Sequence, residues 1–236
     1  LENGNRVQDK STINALREYL AAYGFATEGV PRASHDTPDF LMRDEDETYV
    51  VEVKQRHHPP QRWAGLVRRN TISGVVSDAA RQLAAFAEGD PLRVMWFLGQ
   101  PPEQKWYYNN LRMSVYGLSL VTGLGKSGGV AKACYYATES DFWRLRAILD
   151  GVILGTVAAV FINDLSPRAD RLKASRLCRF SQAPVCDPRD EERTGLMLSV
   201  RGKDVDRTNK QAVRSYLEKK YDLENVNLEV LMRFTA

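Results

Sequence analysis

Pro38-Asp39-Phe40-Leu41-Met42 and Thr48-Tyr49-Val50-Val51-Glu52-Val53-Lys54-Gln55 are two short runs joined by the charged segment Arg43 to Glu47. In the second run Tyr49, Val51 and Val53 alternate with Val50, Glu52 and Lys54, the two-residue period of a strand. The pair predicts a hairpin with a polar turn, ended by Pro59 and Pro60. Glu52 and Lys54 then project from one face. Asp39 opens the neighbouring strand 13 positions before Glu52, and a short turn brings it alongside. Two carboxylates and a lysine therefore converge at one end of a sheet.

Working outward, Ser11 or Thr12 can cap a first helix in which Ile13, Leu16, Leu20 and Tyr23 recur at helical spacing. Gly24 stands where a C-terminal glycine belongs. Phe25 to Val30 reads as a short strand stopped by Pro31. After the hairpin, residues 72–87 predict a helix with Ile72, Val76, Ala79, Leu83 and Phe86 on one face, stopped at Gly89-Asp90-Pro91. Leu92 to Leu98 is almost continuously apolar, as in a central strand buried on both faces. The order α-β-β-β-α-β predicts an α/β protein, a mixed central sheet flanked by helices.

Beyond the linker Gly99 to Gln104 the signals weaken. Residues 113–122 and 130–137 read as strands around a glycine-rich turn, and Ser140 caps a helix expected over 141–149. Strands are expected at 156–162, 196–201 and 226–234, and a helix at 207–221. The expected division is a core over residues 1–103 and an α+β half over 104–236, serving recognition, dimerisation or sensing.

Two hard oxygen ligands a few ångströms apart suit Mg²⁺, which keeps most of its waters and accepts one or two carboxylates plus phosphate oxygens. A lysine beside them can orient the attacking water or offset charge on phosphorus. Pro38-Asp39 followed by Glu52-x-Lys54 resembles the motif of the PD-(D/E)xK nuclease superfamily, the restriction-endonuclease-like fold. The likeness covers roughly residues 10 to 100, from the first helix to the apolar strand. As a bare string the motif is loose; this order of elements and the proline before Asp39 make it more specific. The resemblance implies a Mg²⁺-dependent endodeoxyribonuclease, with Mn²⁺ able to substitute. Asp39 and Glu52 would be its metal ligands and Lys54 its catalytic lysine. The plain alternative is an exposed hairpin with Glu52 and Lys54 facing solvent.

Some branches of that superfamily take a further ligand from the first helix. Glu18 lies almost opposite the apolar stripe there and should face solvent, and Asp9 and Glu2 have no stronger claim. Other branches place a glutamine on the second helix near the site. Gln82, on the rim of the apolar face, is the candidate for that catalytic role, whereas Gln55 points to the other face of its strand. His57 and His58 diverge on an extended chain and have no partner cluster to complete a zinc site, so His57 is assigned to phosphate contact. Arg56, Arg62, Trp63, Arg68 and Arg69 mix cations with a stacking ring, the composition of a nucleic-acid-binding surface. Gly125-Lys126-Ser127 imitates the end of a phosphate-binding loop, but Leu120 stands where that motif needs its first glycine.

Charge is distributed unevenly. Six acidic residues and one basic lie between Asp39 and Glu52, whereas Val53 to Ser77 holds five basic residues and no acid. Leu165 to Ala183 holds five more basic residues against Asp170. An acidic island beside basic stretches suits a metal site next to a phosphate surface, although charge alone favours an ordinary solvated face. The longest apolar stretch, Gly151 to Ile162, has about a dozen residues where a membrane span needs roughly 20. No secretory signal pattern is visible. The three cysteines form neither a disulfide framework nor a zinc knuckle, so a cytoplasmic protein with no membrane partner is expected. The expected function is cleavage of DNA in restriction, phage defence or repair, with RNA left open as substrate and a homodimer left open as the assembly. The alternative is a catalytically silent nuclease-fold module that binds nucleic acid or senses an effector.

Overall fold

The computed structural model describes residues 10–30, 37–56, 71–99, 104–136, 140–155, 159–180, 183–201, 205–206 and 209–230. Helix α1 (Lys10–Ala22) buries Ile13, Leu16 and Leu20 along one stripe. It ends in a Schellman turn: Gly24 N–H donates to Ala21 and Phe25 N–H to Leu20, with Gly24 at φ +79°. Strand β1 (Ala26–Gly29) pairs antiparallel with β2 (Phe40–Arg43), and β2 pairs antiparallel with β3 (Thr48–Arg56). Asp44 shapes the turn between β2 and β3 by accepting from the backbone of Asp46 and Glu47. Helix α2 (Thr71–Ala84) crosses over to β4 (Leu92–Gly99), which lies parallel to β3.

On the other side of β4 the sheet takes its next strands from beyond residue 104. Strand β7 (Gly151–Leu154) pairs parallel with β4, β8 (Ala159–Ile162) antiparallel with β7, and β9 (Val185–Cys186) parallel with β8. Among the described residues this makes a seven-stranded mixed sheet in the order β1-β2-β3-β4-β7-β8-β9. One face carries α2, α3 (Gln104–Tyr116) and α4 (Asp141–Arg144), packed on Val50, Met95, Phe97, Val152 and Leu154. The other carries α1, α5 (Ala169–Ala174) and α6 (Arg176–Arg179), packed on Val51, Val53, Val94, Trp96 and Ile153. The protein is mixed α/β, with a large sheet flanked by helices on both faces.

A second sheet joins β5 (Leu118–Gly125), β6 (Gly128–Tyr136), β10 (Leu198–Val200) and β11 (Glu224–Val230) in the order β10-β6-β5-β11. Helix α8 (Lys210–Tyr221) covers one of its faces with Val213 and Leu217. Between the sheets, the short helix α7 (Pro188–Arg193) is a hub of ion pairs. Its Glu191 meets Arg112 of α3, and its Glu192 meets Arg201 and Lys220. Asp187, which caps α7 by accepting from Arg189 N, meets Lys173 of α5 at 2.8 Å. A second polar cluster ties the helices of the first face together. The fully buried Asp141 accepts from Ser73 Oγ of α2 at 2.6 Å, from Ser114 Oγ of α3, and from its own helix's Arg144.

Three sequence expectations need correction. The strand expected at 113–122 begins only at Leu118, because α3 runs to Tyr116 and Gly117, at φ +54°, ends it. Tyr107, Leu111 and Val115 bury one stripe of α3, a helical spacing masked by its aromatic, strand-favouring composition. The helix expected over 141–149 stops at Arg144, after Ser140 caps it as expected by accepting from Trp143 N. Residues 151–162 hold two strands, β7 and β8, rather than one at 156–162. Among the described residues no helix is long and apolar enough to cross a membrane.

Candidate active site

The β2–β3 register places Phe40 opposite Val51, so Asp39, one residue before, comes opposite Glu52. Two bonds hold it there. Asp39 N–H donates to Val51 O at 3.1 Å, and Val53 N–H donates to Asp39 Oδ2 at 2.9 Å. Strand alternation turns Val51 and Val53 into the core under α1 and turns Glu52 and Lys54 toward α2. There Lys54 Nζ stands 2.8 Å from Glu52 Oε1 and donates to Gln82 Oε1 of α2. Asp39, Glu52, Lys54 and Gln82 therefore form one cluster, brought together from two paired strands and the crossover helix.

The cluster sits against an apolar wall. On β4 the residues in register with Glu52 and Lys54 are Met95 and Phe97, both fully buried. The Glu52 side chain is itself 0% exposed, against 20% for Lys54. Burial, and then the neighbouring Asp39 carboxylate, push the Glu52 carboxyl up to about 8, against the opposing pull of Lys54. Lys54 approaches Glu52 as an ion pair by distance, but neither Glu52 oxygen has a hydrogen bond of normal direction. A buried carboxylate in that condition is costly.

That cost identifies what the donor set fits. Two facing carboxyl groups, one fully buried and lacking a hydrogen bond of normal direction, suit a hard divalent cation that takes two protein oxygens and fills the rest of its shell with water or phosphate oxygen. Among the described residues no group of three or more His, Cys, Asp or Glu side chains could hold a metal, so the pair would act without a third protein ligand from those residues.

The other candidates fall differently. Glu18 is exposed on α1, which packs on the opposite face of the sheet from Glu52, and it does not enter the cluster. Gln82, expected on the rim of α2, is half-buried and meets Lys54. Gln55 is half-buried and alternates onto the other face of β3. Arg56 closes β3, and its side chain lies outside the described residues. Glu2, Asp9, His57, His58, Arg62, Trp63, Arg68 and Arg69 also lie outside them.

The basic stretch from Leu165 to Ala183 is largely committed to partners within the chain. Arg168 pairs with Asp150 at 2.9 Å and Asp90 at 3.1 Å, and Arg171 pairs with Glu47 and Asp90, each at 2.7 Å. Lys173 pairs with Asp187 and Asp190, and Arg176 donates to Tyr23 O while lying over the Phe25 ring. Arg168, Arg171 and Lys173 neutralise local carboxylates, and Arg176 ties α6 to the end of α1. Sequence reading missed the wall made by Met95 and Phe97, since nothing in the apolar run of β4 states its register against β3. Comparison with protein-family models, with curated proteins and with solved structures returns no match for this chain.

Proposed function

We propose that this chain is a metal-dependent nuclease of PD-(D/E)xK type that hydrolyses phosphodiester bonds of DNA, in a setting such as restriction, phage defence or repair. The observation that carries the reading is the convergence of Asp39, Glu52, Lys54 and Gln82 on the α2 side of the β2–β3 pair. Mg²⁺, or Mn²⁺ in its place, would supply a Lewis acid that polarises the phosphoryl group and acidifies the attacking water. Asp39 and Glu52 would hold it. Lys54 then offers a preorganised cation for charge that develops on the phosphoryl oxygens, or orients the water. Gln82 holds the Lys54 ammonium by accepting a hydrogen bond from it, which limits the positions the lysine stem can take. The apolar wall of Met95 and Phe97 lowers the local dielectric and so strengthens each of these interactions.

The test is cleavage of supercoiled, linear and branched DNA in Mg²⁺, Mn²⁺ and Ca²⁺, with binding measured in Ca²⁺. The wild type should cut in Mg²⁺ and Mn²⁺. Lys54→Ala should lose on the order of 10² to 10³ in rate, with DNA affinity nearly intact. Asp39→Asn should lose cleavage through weakened metal binding, so that excess Mn²⁺ partly restores it. A wild type that binds DNA but cuts nothing under any of these metals would transfer the assignment to a silent binding module.

A further inference from the structure

We propose that Lys54 is the resident counter-ion of the Asp39–Glu52 pair and that it weakens the pair's affinity for divalent cations. This inference rests on the reading of Asp39 and Glu52 as metal ligands. The ammonium stands 2.8 Å from Glu52 Oε1, in a place where the glutamate side chain has no contact with solvent. It is kept there by Gln82, to which it donates. The glutamate of the pair is therefore met from within the chain by a monovalent cation on a four-carbon tether.

Charge counting gives the direction. A divalent ion brings positive charge to the pair. The ammonium 2.8 Å from Glu52 Oε1 opposes that change by like-charge repulsion.

Geometry gives the size. A cation about 2.1 Å from Glu52 Oε1 would lie within about 5 Å of Lys54 Nζ. At an effective dielectric of about 20, repulsion of one unit charge across that distance is worth more than a hundredfold in affinity. Lys54 is 20% exposed, and solvent screening of its charge leaves an expected effect on the order of tenfold. Lys54 thus acts in two ways: as a cation toward the reacting phosphate and as a brake on cation loading.

The experiment is calorimetric titration of Ca²⁺ and Mn²⁺ into the metal-stripped full chain, with the cation-induced rise in unfolding temperature as a second readout. The proteins are the wild type, Lys54→Met, Lys54→Gln, Lys54→Arg and Asp39→Asn. Both neutral variants should bind on the order of tenfold more tightly than the wild type and show the larger cation-induced rise. Lys54→Arg keeps the charge and should stay within about threefold of the wild type. Asp39→Asn should lose binding. If Asp39→Asn loses binding but the neutral Lys54 variants bind no more tightly than the wild type, the counter-ion role is overturned and the metal reading stands. If the wild type binds neither cation, both are overturned.

Discussion

Asp141→Ala should destabilise the protein by about 3–5 kcal/mol, because the residue is an acceptor shared by three helices. Its carboxylate is fully buried, and it accepts from Ser73 Oγ of α2 and Ser114 Oγ of α3. Both hydroxyls are buried too, at 7% and 0% exposure, so losing the acceptor costs a buried bond at each. A hydrogen bond to a charged group is worth about 1.5–3 kcal/mol, and two of them set the scale. Arg144 adds little, since its side chain is 43% exposed and can be rehydrated. Asp141→Asn keeps one acceptor oxygen and should cost roughly half as much. Urea unfolding of the metal-free protein measures both. The decisive comparison is a background carrying Ser73→Ala and Ser114→Ala, in which Asp141→Ala should cost at least about 1 kcal/mol less than in the wild type. A loss below about 1 kcal/mol in the wild type, or strict additivity in that background, would show that the cluster does not hold α2, α3 and α4 together.

Acid sensitivity and packing offer two further checks. Burial raises the Glu192 carboxyl, but hydrogen bonds from Lys220, Arg201 and Tyr221 outweigh it and hold the group down at about 2, against an ordinary value of 4.5. A depressed carboxylate contributes stability that is present above the ordinary value and lost as pH falls toward 2. Glu192→Gln should therefore flatten the fall in unfolding temperature between those two pH values; an unchanged slope would place the acid response elsewhere. Gly151→Ala would put a methyl group 2.6 Å from Leu172 Cδ2 and 2.9 Å from Phe161 O. The leucine end can shift but the carbonyl belongs to the paired strand, so a loss of about 1–3 kcal/mol is expected. An unchanged unfolding temperature would refute it.

The hairpin and the placing of its charged side chains were legible in the sequence because local rules specify them. The two-residue period of Tyr49 to Lys54 fixes which side chains share a face, and a short turn leaves Asp39 few places to go other than beside Glu52. The stripe of α1 and its closing glycine were legible for the same reason. What escaped depends on partners distant in sequence. The apolar run of residues 151–162 does not say that it divides into two antiparallel strands, nor that β7 lies beside β4. The cations of residues 165–183 resemble a phosphate-binding surface until Asp150, Asp90, Glu47 and Asp187 are seen opposite them. Gln82 lay between the two cases. Its place on the rim of α2 could be read from helical phase, but its bond to Lys54 depends on how the helix crosses β3.

The position of β4 has a consequence for how the chain is made. It is flanked by β3, complete by residue 56, and by β7, which begins only at Gly151. Until that later segment leaves the ribosome, one side of β4 presents unpaired backbone groups among Val94, Met95, Trp96 and Phe97, all of which are fully buried in the finished protein. A nascent chain or truncated fragment ending near residue 103 would carry an open edge with four apolar residues in a row, the kind that recruits a strand from another molecule. Soluble expression of such a fragment should therefore be poor, and should recover once the chain extends past Ile162 and the β7–β8 pair closes the gap.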